Sequence, residues 1–276
     1  AEGVLPIAVG EATKLAGRML DATKEYEFVL RFGEETDTLD AEGRVVATSE
    51  VRPSLAGVEA MLSRFTGAIE QVPPAFSALK VEGRRAYDLA RAGEDVELEM
   101  RSVTIHSLSV RAEPVEAVLF PSEVKDCPST SSGRTGYVEE VLFTAHVSKG
   151  TYIRSLARDI AHALGTVGHV TMLRRMRAGP FDLSRAISLD KLNEVGQGAP
   201  LEDVILPLEA GLDDIPALDL DPEAARAVRQ GRILSGLPQD DGLYWARAGE
   251  LPLALMELSG GDARVVRGFN LPDVAE

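Results

Sequence analysis

Little in this chain is suited to binding a metal or closing a disulfide. Its 276 residues include one cysteine, Cys127, and four histidines. A single thiol has no partner for an internal disulfide, and no Cys-x-x-Cys pair accompanies it, so neither a disulfide framework nor a zinc site is supported. His106, His146, His162 and His169 have no metal-ligand partner three or four residues away, and no Ser-His-Asp or nucleophilic-cysteine arrangement is visible. They read as structural residues of a protein kept in a reducing compartment. Long apolar runs are missing too. No stretch approaches the roughly 20 residues that cross a bilayer. The opening Ala1-Glu2-Gly3-Val4-Leu5-Pro6 has neither the basic nor the apolar region of a signal peptide, so the expected location is the cytoplasm. The chain begins at alanine rather than methionine, and on that ground it is expected to be N-terminally truncated.

Positive charge is also scarce. The 29 Lys and Arg face 44 Asp and Glu, a formal net charge of −15 at pH 7, and such a body repels polyanions beyond the contact surface. The distribution tells more than the sum. Between Lys149 and Arg177 the cations Lys149, Arg154, Arg158, Arg174, Arg175 and Arg177 meet one acid, Asp159. Acids gather elsewhere, at Glu202, Asp203, Glu209, Asp213, Asp214, Asp219 and Asp221. A local basic face on an acidic body can hold phosphates, with ordinary solvated arginines as the alternative.

What is plentiful is core material. Hydrophobic residues make up 45% of the chain and charged ones 26%, which describes a soluble globular protein of one large domain plus a small one. Lys24 to Gly33 alternates, with Tyr26, Phe28, Leu30 and Phe32 on one face and Glu25, Glu27 and Arg31 on the other, the period of a half-buried strand. The turn Asp40-Ala41-Glu42-Gly43 leads into a second strand, Arg44 to Thr48, expected to pair with the first. Leu55, Val58, Met61, Leu62 and Phe65 recur at helical spacing, between Pro53-Ser54 and Gly67. The chain is extended at Pro73-Pro74, and Arg84 to Arg91 reads as a short helix. Strand patterns return at Val103 to Val110 and at Val138 to Val147, while residues 114–136 between them lack periodicity and read as an inserted loop.

The strongest helix pattern runs from Tyr152 to Leu164. Ile153, Leu156, Ala157, Ile160, Ala161 and Leu164 form one apolar stripe, with Thr151 as the expected N-cap and Gly165 as the stop. Tyr152, Arg154 and Arg158 lie off that stripe, so Arg154 can reach a cleft at the sheet's edge. Val170 to Met176 predicts a further strand. Farther on, Asp221-Pro222 marks a helix start and Gly231 its end. Short apolar runs at Leu243 to Ala246, Leu253 to Leu258 and Val265 to Val266 predict a small β-rich module.

Five ordered blocks then point one way. They are Ala1-Glu2-Gly3-Val4-Leu5-Pro6 with Gly10-Glu11-Ala12-Thr13-Lys14; Lys24-Glu25-Tyr26 with Thr36-Asp37-Thr38, Asp40 and Gly43; Ser77-Ala78-Leu79-Lys80; Lys149-Gly150-Thr151-Tyr152-Ile153-Arg154; and His169-Val170 with Leu173-Arg174-Arg175. Together they resemble the TruB family of tRNA pseudouridine synthases, in order and at similar spacing. The resemblance implies an α+β fold, a mixed and mostly antiparallel sheet with flanking helices, followed by a small C-terminal β-rich PUA-like RNA-binding domain. On that division the catalytic domain is 1–212 and the PUA-like domain 213–276.

The activity it implies is isomerisation of a T-loop uridine of tRNA, position 55, to pseudouridine. No metal or organic cofactor is expected, the partner is the T-arm of tRNA, and the protein is expected to act as a monomer. The base must leave its stack first. The family's nucleophilic aspartate sits in a G-x-L-D-P-x-A-x-G motif whose final A-x-G matches Ala1-Glu2-Gly3, so it would lie upstream of Ala1 and the 276 residues alone are expected to be inactive. By the same resemblance Tyr26 stacks on the extruded base and Arg154 pairs with the absent aspartate. Tyr152 and Leu173 wall the base pocket. Lys80, Lys149, Arg174 and Arg175, together with Arg84, Arg85 and Arg177, are candidates for phosphate contacts. Without the aspartate, Arg154 is expected to be left as an unpaired charge, at a cost of ~3–5 kcal/mol. Two other readings stand beside this one: a non-catalytic RNA-binding or tRNA-folding module, and an acidic protein-interaction domain.

Overall fold

The structure is a computed structural model that describes residues 2–81, 83–111, 136–198, 200–201 and 204–271. Cys127, the acids Glu202 and Asp203, and the expected inserted loop up to residue 135 lie outside them. In chain order the first elements are Glu2–Gly3 (β1), Ala16–Asp21 (α1), Lys24–Phe32 (β2), Glu34–Thr36 (β3), Val45–Thr48 (β4) and Leu55–Met61 (α2). There follow Gly67–Gln71 (β5), Lys80–Val81 (β6), Arg84–Arg85 (β7), Ala86–Arg91 (α3), Arg101–Arg111 (β8), Glu140–Val147 (β9), Ile153–Ala163 (α4) and Gly168–Ala178 (β10). The remainder are Phe181–Asp182 (β11), Leu189–Gly196 (α5), Ala217–Asp219 (β12), Pro222–Arg229 (α6), Leu234–Ser235 (β13), Gly242–Ala248 (β14), Leu251–Ser259 (β15) and Asp262–Gly268 (β16).

By contacts the chain divides into two compact units, Ala1–Val4 with Asp21–Ala178, and Leu5–Leu20 with Gly179–Glu276. The first is built on a sheet of order β1-β10-β2-β9-β8-β5. Only β1 and β10 run parallel; the other neighbours are antiparallel, as the fold class anticipates. Gly3 makes the parallel pair possible. Its φ is +102°, and a Cβ there would lie 2.2 Å from the Arg175 carbonyl oxygen.

Strand alternation sets the core. Phe28, Leu30 and Phe32 of β2 share a buried face with Val141, Phe143, Ala145 and Val147 of β9, against Ile153, Leu156, Ala157, Ile160 and Ala161 of α4. Phe28 and Phe143 are direct cross-strand partners with rings stacked 5.0 Å apart. The helix α4 therefore buries its apolar stripe as its periodicity requires, and that burial fixes which side chains face outward.

Several local expectations are revised. The strand after the Asp40 turn, β4, pairs with β3 in a separate two-stranded sheet and not with β2. Gly33, at φ +102°, is the one residue between β2 and β3, and the chain turns out of the main sheet there. The expected helix at Arg84 begins only at Ala86, because Arg84 and Arg85 form a hairpin with Val81 and Lys80. Thr151 does not cap α4. Its hydroxyl donates to the Ser148 carbonyl at 3.0 Å, and Tyr152 occupies the cap position without a side-chain bond.

The second unit, taken by itself, carries a five-stranded sheet of order β12-β14-β15-β16-β13. The helix α6 starts as its sequence indicates, with Asp221 accepting from the Glu223 and Ala224 amides. It packs Ala225 and Val228 against Ala254, Met256 and Leu258 of β15. Leu15 belongs here as well, buried with Leu212, Ile215 and Trp245, which is why residues 5–20 join this unit.

Candidate active site

The first unit concentrates its polar architecture at the start of α4. Arg154, the second residue of that helix, uses Nη1 to donate to the Thr38 carbonyl at 2.8 Å and to Asp40 Oδ2 at 2.9 Å. Its Nη2 donates to the Phe76 carbonyl at 2.9 Å. Both partners of the ion pair are largely shielded, with side-chain exposures of 22% and 28%. A guanidinium held by three acceptors has a set orientation and a charge-assisted bond that a mobile surface arginine lacks. The expectation that Arg154 lacks a partner in this chain is thereby corrected: Asp40, 114 residues earlier, supplies the carboxylate.

Asp40 is itself fixed. Its Oδ1 accepts from Thr38 Oγ1 at 2.6 Å and from the Glu42 amide at 3.2 Å. Leu39 before it is buried and sits at φ +62°, an uncommon conformation for a branched aliphatic residue that costs of order 1–3 kcal/mol. The Leu39 carbonyl accepts from Val170 N at 3.0 Å, tying the turn to β10. Gly43 closes the turn, since a Cβ there would come within 2.3 Å of Thr38 Oγ1.

Arg154 lines a cavity of about 270 Å³. The other residues lining it are Phe76, Ser77, Ala78, Arg85, Tyr87 and Tyr152. Three of these seven residues are aromatic in a chain with 5% aromatics, so flat surfaces are gathered here. Phe76 meets Tyr87 edge-on at 6.0 Å, and the Arg91 guanidinium stacks 4.5 Å from the Tyr87 ring. The Tyr152 backbone is pinned by Gln71, a buried residue whose Oε1 accepts from the Tyr152 amide at 2.8 Å. The depression thus brings aromatic side chains and two guanidinium groups to one open surface.

The other expected site residues are placed less centrally. Tyr26 and Leu173 are half-buried and pack against the main core, and neither lines this cavity. Lys80 is exposed on the β6–β7 hairpin. Arg84 beside it makes a two-pronged bond to Glu94, and Arg85 reaches the cavity. Lys149 pairs with Asp21, and that hydrogen bond holds the Asp21 carboxyl below its ordinary value. Burial lowers the Lys24 ammonium, with the Arg175 charge the next cause, so cations crowd at the start of β2. On β10, Arg174 meets Glu2 at 3.3 Å, Arg175 donates to the Val4 carbonyl at 2.6 Å, and Arg177 meets Glu25 at 3.4 Å.

Farther along α4 the outward stripe continues. Arg158 bonds Asp159 at 2.9 Å and the Val72 carbonyl at 3.2 Å, and His162 meets Glu35 at 2.6 Å. Burial pushes the Asp159 carboxyl up, against the opposing pull of Arg158. His169, buried, bonds the Glu34 carbonyl at 2.8 Å. His106 and His146 stack at 4.8 Å. Among the described residues no group of three or more His, Cys, Asp or Glu is placed to hold a metal ion, and no helix is long and apolar enough to cross a membrane.

Sequence reasoning placed Asp40 in a turn and in a motif block without giving it a role at the site, and gave no role to Gln71, Phe76 or Tyr87. One signal was present: Phe76 and Tyr87 bracket the Ser77-Ala78-Leu79-Lys80 block in a chain short of aromatics.

The comparisons with known proteins agree with one another. A model described as TruB family pseudouridylate synthase (N terminal domain) matches residues 1–153, and one described as tRNA pseudouridylate synthase B C-terminal domain matches residues 154–213. The chain belongs to the TruB family of pseudouridylate synthases. The tRNA pseudouridine synthase B of Novosphingobium aromaticivorans is 67% identical over 276 residues, covering 100% of this chain and 85% of the relative. The tRNA pseudouridine synthase B of Zymomonas mobilis is 50% identical over 270 residues, covering 98% of this chain and 82% of the relative. Among solved structures, a Cbf5-Nop10-Gar1 complex matches with a TM-score of 0.63 at 22% identity, covering 98% of this chain and 73% of that one. An H/ACA RNP bound to a substrate RNA matches with a TM-score of 0.61 at 20% identity, covering 96% of this chain and 72% of that one. At such identities the likeness is one of fold.

Proposed function

We propose that this chain is part of an enzyme that converts a uridine in the T-loop of tRNA, position 55, to pseudouridine. The observation that carries the reading is the Arg154 guanidinium, fixed by Asp40 and two carbonyls at the wall of an aromatic cavity. Relatives of high identity bearing the name tRNA pseudouridine synthase B support the choice of substrate. In the reaction the N1–C1′ bond of the uridine breaks, the ring turns, and a C5–C1′ bond forms. The proton leaving C5 is balanced by one gained at N1, so no redox partner is needed. What the protein must supply is a dry place for an unstacked base and a fixed charge field.

The residues divide this work. Aromatic faces stabilise an unpaired base by ~1–3 kcal/mol each, and Tyr26, Tyr152 and Leu173 are proposed to bound its path. Arg154 keeps an adjacent carboxylate ionised and oriented. Lys80, Lys149, Arg174 and Arg175 are proposed to meet phosphates of the T-arm, and residues 213–276 to act as the PUA-like RNA-binding domain. The protein is proposed to work as a cytoplasmic monomer. Following the motif resemblance, in which Ala1-Glu2-Gly3 matches the end of G-x-L-D-P-x-A-x-G, the nucleophile is assigned to the motif's aspartate position, ahead of Ala1. A polypeptide limited to these 276 residues would bind the RNA without converting it.

The test compares that polypeptide with one extended upstream through G-x-L-D-P, using a T-arm stem-loop labelled with tritium at uridine C5. Tritium release from the extended chain alone is expected. No release from either leaves the RNA-binding or tRNA-folding module as the reading. Release from the shorter chain would place the nucleophile inside it.

A further inference from the structure

Three ties join the chain leaving β5 to the first turns of α4. The Val72 carbonyl accepts from Arg158 at 3.2 Å, the Phe76 carbonyl accepts from Arg154 at 2.9 Å, and Gln71 Oε1 accepts from the Tyr152 amide at 2.8 Å. The first two use backbone carbonyls, which every amino acid carries. The third depends on one side chain. Gln71 ends β5, is 1% exposed, and lies 81 residues from the amide it holds. A backbone N–H can only donate, so the atom facing it is the side-chain oxygen, and the orientation of the glutamine is settled.

Tyr152 draws this tie from outside its own helix. It is the N-cap of α4, with extended backbone at φ −101° and ψ 110°, and makes no side-chain cap bond. In a capping box the third helical residue reaches back to the N-cap amide. Here that residue is Ser155, whose hydroxyl is buried and has no hydrogen-bond partner among the described residues. Gln71 performs the task from a distant strand instead. Its cross-strand partner on β8, Arg101, carries a guanidinium 5.9 Å from the centre of the Tyr152 ring. The end of the β5–β8 pair thus meets residue 152 at both backbone and ring. Stability alone is a weak reason for the glutamine, because its Nε2 is buried without a partner and that penalty offsets the bond at the other end.

Resting on the function proposed above, we propose that Gln71 is a positioning residue for the reaction: by fixing the Tyr152 backbone it sets where that ring stands and where α4 presents Arg154, two residues later. It acts through those two residues and touches no substrate atom. A displacement of about 1 Å at a reacting centre costs on the order of 10²-fold in rate. Affinity for the RNA rests mainly on phosphate contacts, assigned above to other side chains.

The experiment uses the protein extended upstream through G-x-L-D-P, the tritium-labelled stem-loop and two substitutions of similar size. Gln71→Met removes the acceptor together with the partnerless nitrogen. It should lower kcat about 10–100-fold and leave KM for the RNA within about twofold. Its melting temperature should stay within about 2 °C of the parent's, while hydrogen exchange at the Tyr152 amide speeds up. A purely structural role would lower the melting temperature and spare kcat. Gln71→Glu keeps an oxygen acceptor at the same place, ionised or not, and should recover most of the lost rate and the slow exchange. A parent-like kcat in Gln71→Met, a loss confined to KM, a loss of rate matched by a fall in melting temperature, or no recovery in a folded Gln71→Glu would each overturn the assignment. An extended parent that releases no tritium would instead remove the proposed function, and this inference with it.

Discussion

The two faces of α4 lie about 130° apart around one helix and obey different rules. The inner face, Ile153, Leu156, Ala157, Ile160 and Ala161, is satisfied by apolar volume of the right size, and its partners on β2 and β9 are apolar without exception. The outer face, Arg154, Arg158 and His162, is satisfied only by particular acceptors. Arg154 finds its own at Thr38, Asp40 and Phe76, on segments far away in the chain. Packing tolerates substitution of kind for kind, whereas a hydrogen-bonded cation depends on the position of single atoms. The inner face thus holds the helix in place, and the outer face spends that rigidity on orienting one guanidinium.

Substitutions should separate the two faces. The largest effect on stability belongs to the inner one: Leu156→Ala should cost ~2–5 kcal/mol through the cavity it leaves, read from the urea midpoint. Affinity for a T-arm stem-loop at low temperature should be unchanged. A loss of affinity without loss of stability would break the division. On the outer face, Arg154→Lys in the extended protein should lower the conversion rate about 10²–10³-fold, the scale of losing one preorganised charged donor. Lysine has one nitrogen and cannot span Asp40 and Phe76 together. Its melting temperature should fall by far less than that of Leu156→Ala, and equal falls would refute the separation.

Asp40→Asn sharpens the comparison further. It keeps the shape and removes the charge, so a loss of about 10–100-fold in rate is expected, with binding of RNA kept. A variant as fast as the parent would show that Arg154 needs only the two carbonyls. The smallest effect concerns Asp159, where the two faces meet. Burial raises this carboxyl above its ordinary 3.8, so the folded state holds the proton more tightly than the unfolded one. The resulting contribution to stability is complete below 3.8 and is lost as pH rises through the folded-state value. Asp159→Asn cannot ionise, and its melting temperature should decline less with rising pH than the parent's. A steeper decline would contradict the burial effect.

Much of this molecule was readable before any coordinates. Alternation identified β2 and β9, the 3.6-residue period identified α4, and Asp221-Pro222 identified the start of α6, because each rests on residues close together in the chain. The ordered motif blocks identified the family. Misreadings fell where a local signal competed with a distant partner. Thr151 has the residue type of a cap but bonds Ser148 instead, and Arg84 fits a helix but pairs with Val81.

Periodicity and motif order therefore determined the class of fold, the sheet's buried face and the helix that carries Arg154. Only the tertiary structure decided that Arg154 is answered by Asp40, that Gln71 pins Tyr152, and that Phe76, Ser77 and Tyr87 line the same open cavity as Tyr152 and Arg154. The physical reason is range. Hydrophobic burial is non-directional and repeats with the local backbone period, so a short window reveals it. A hydrogen bond is directional and is satisfied by whichever atom the folded chain brings within about 3 Å, which no local pattern specifies.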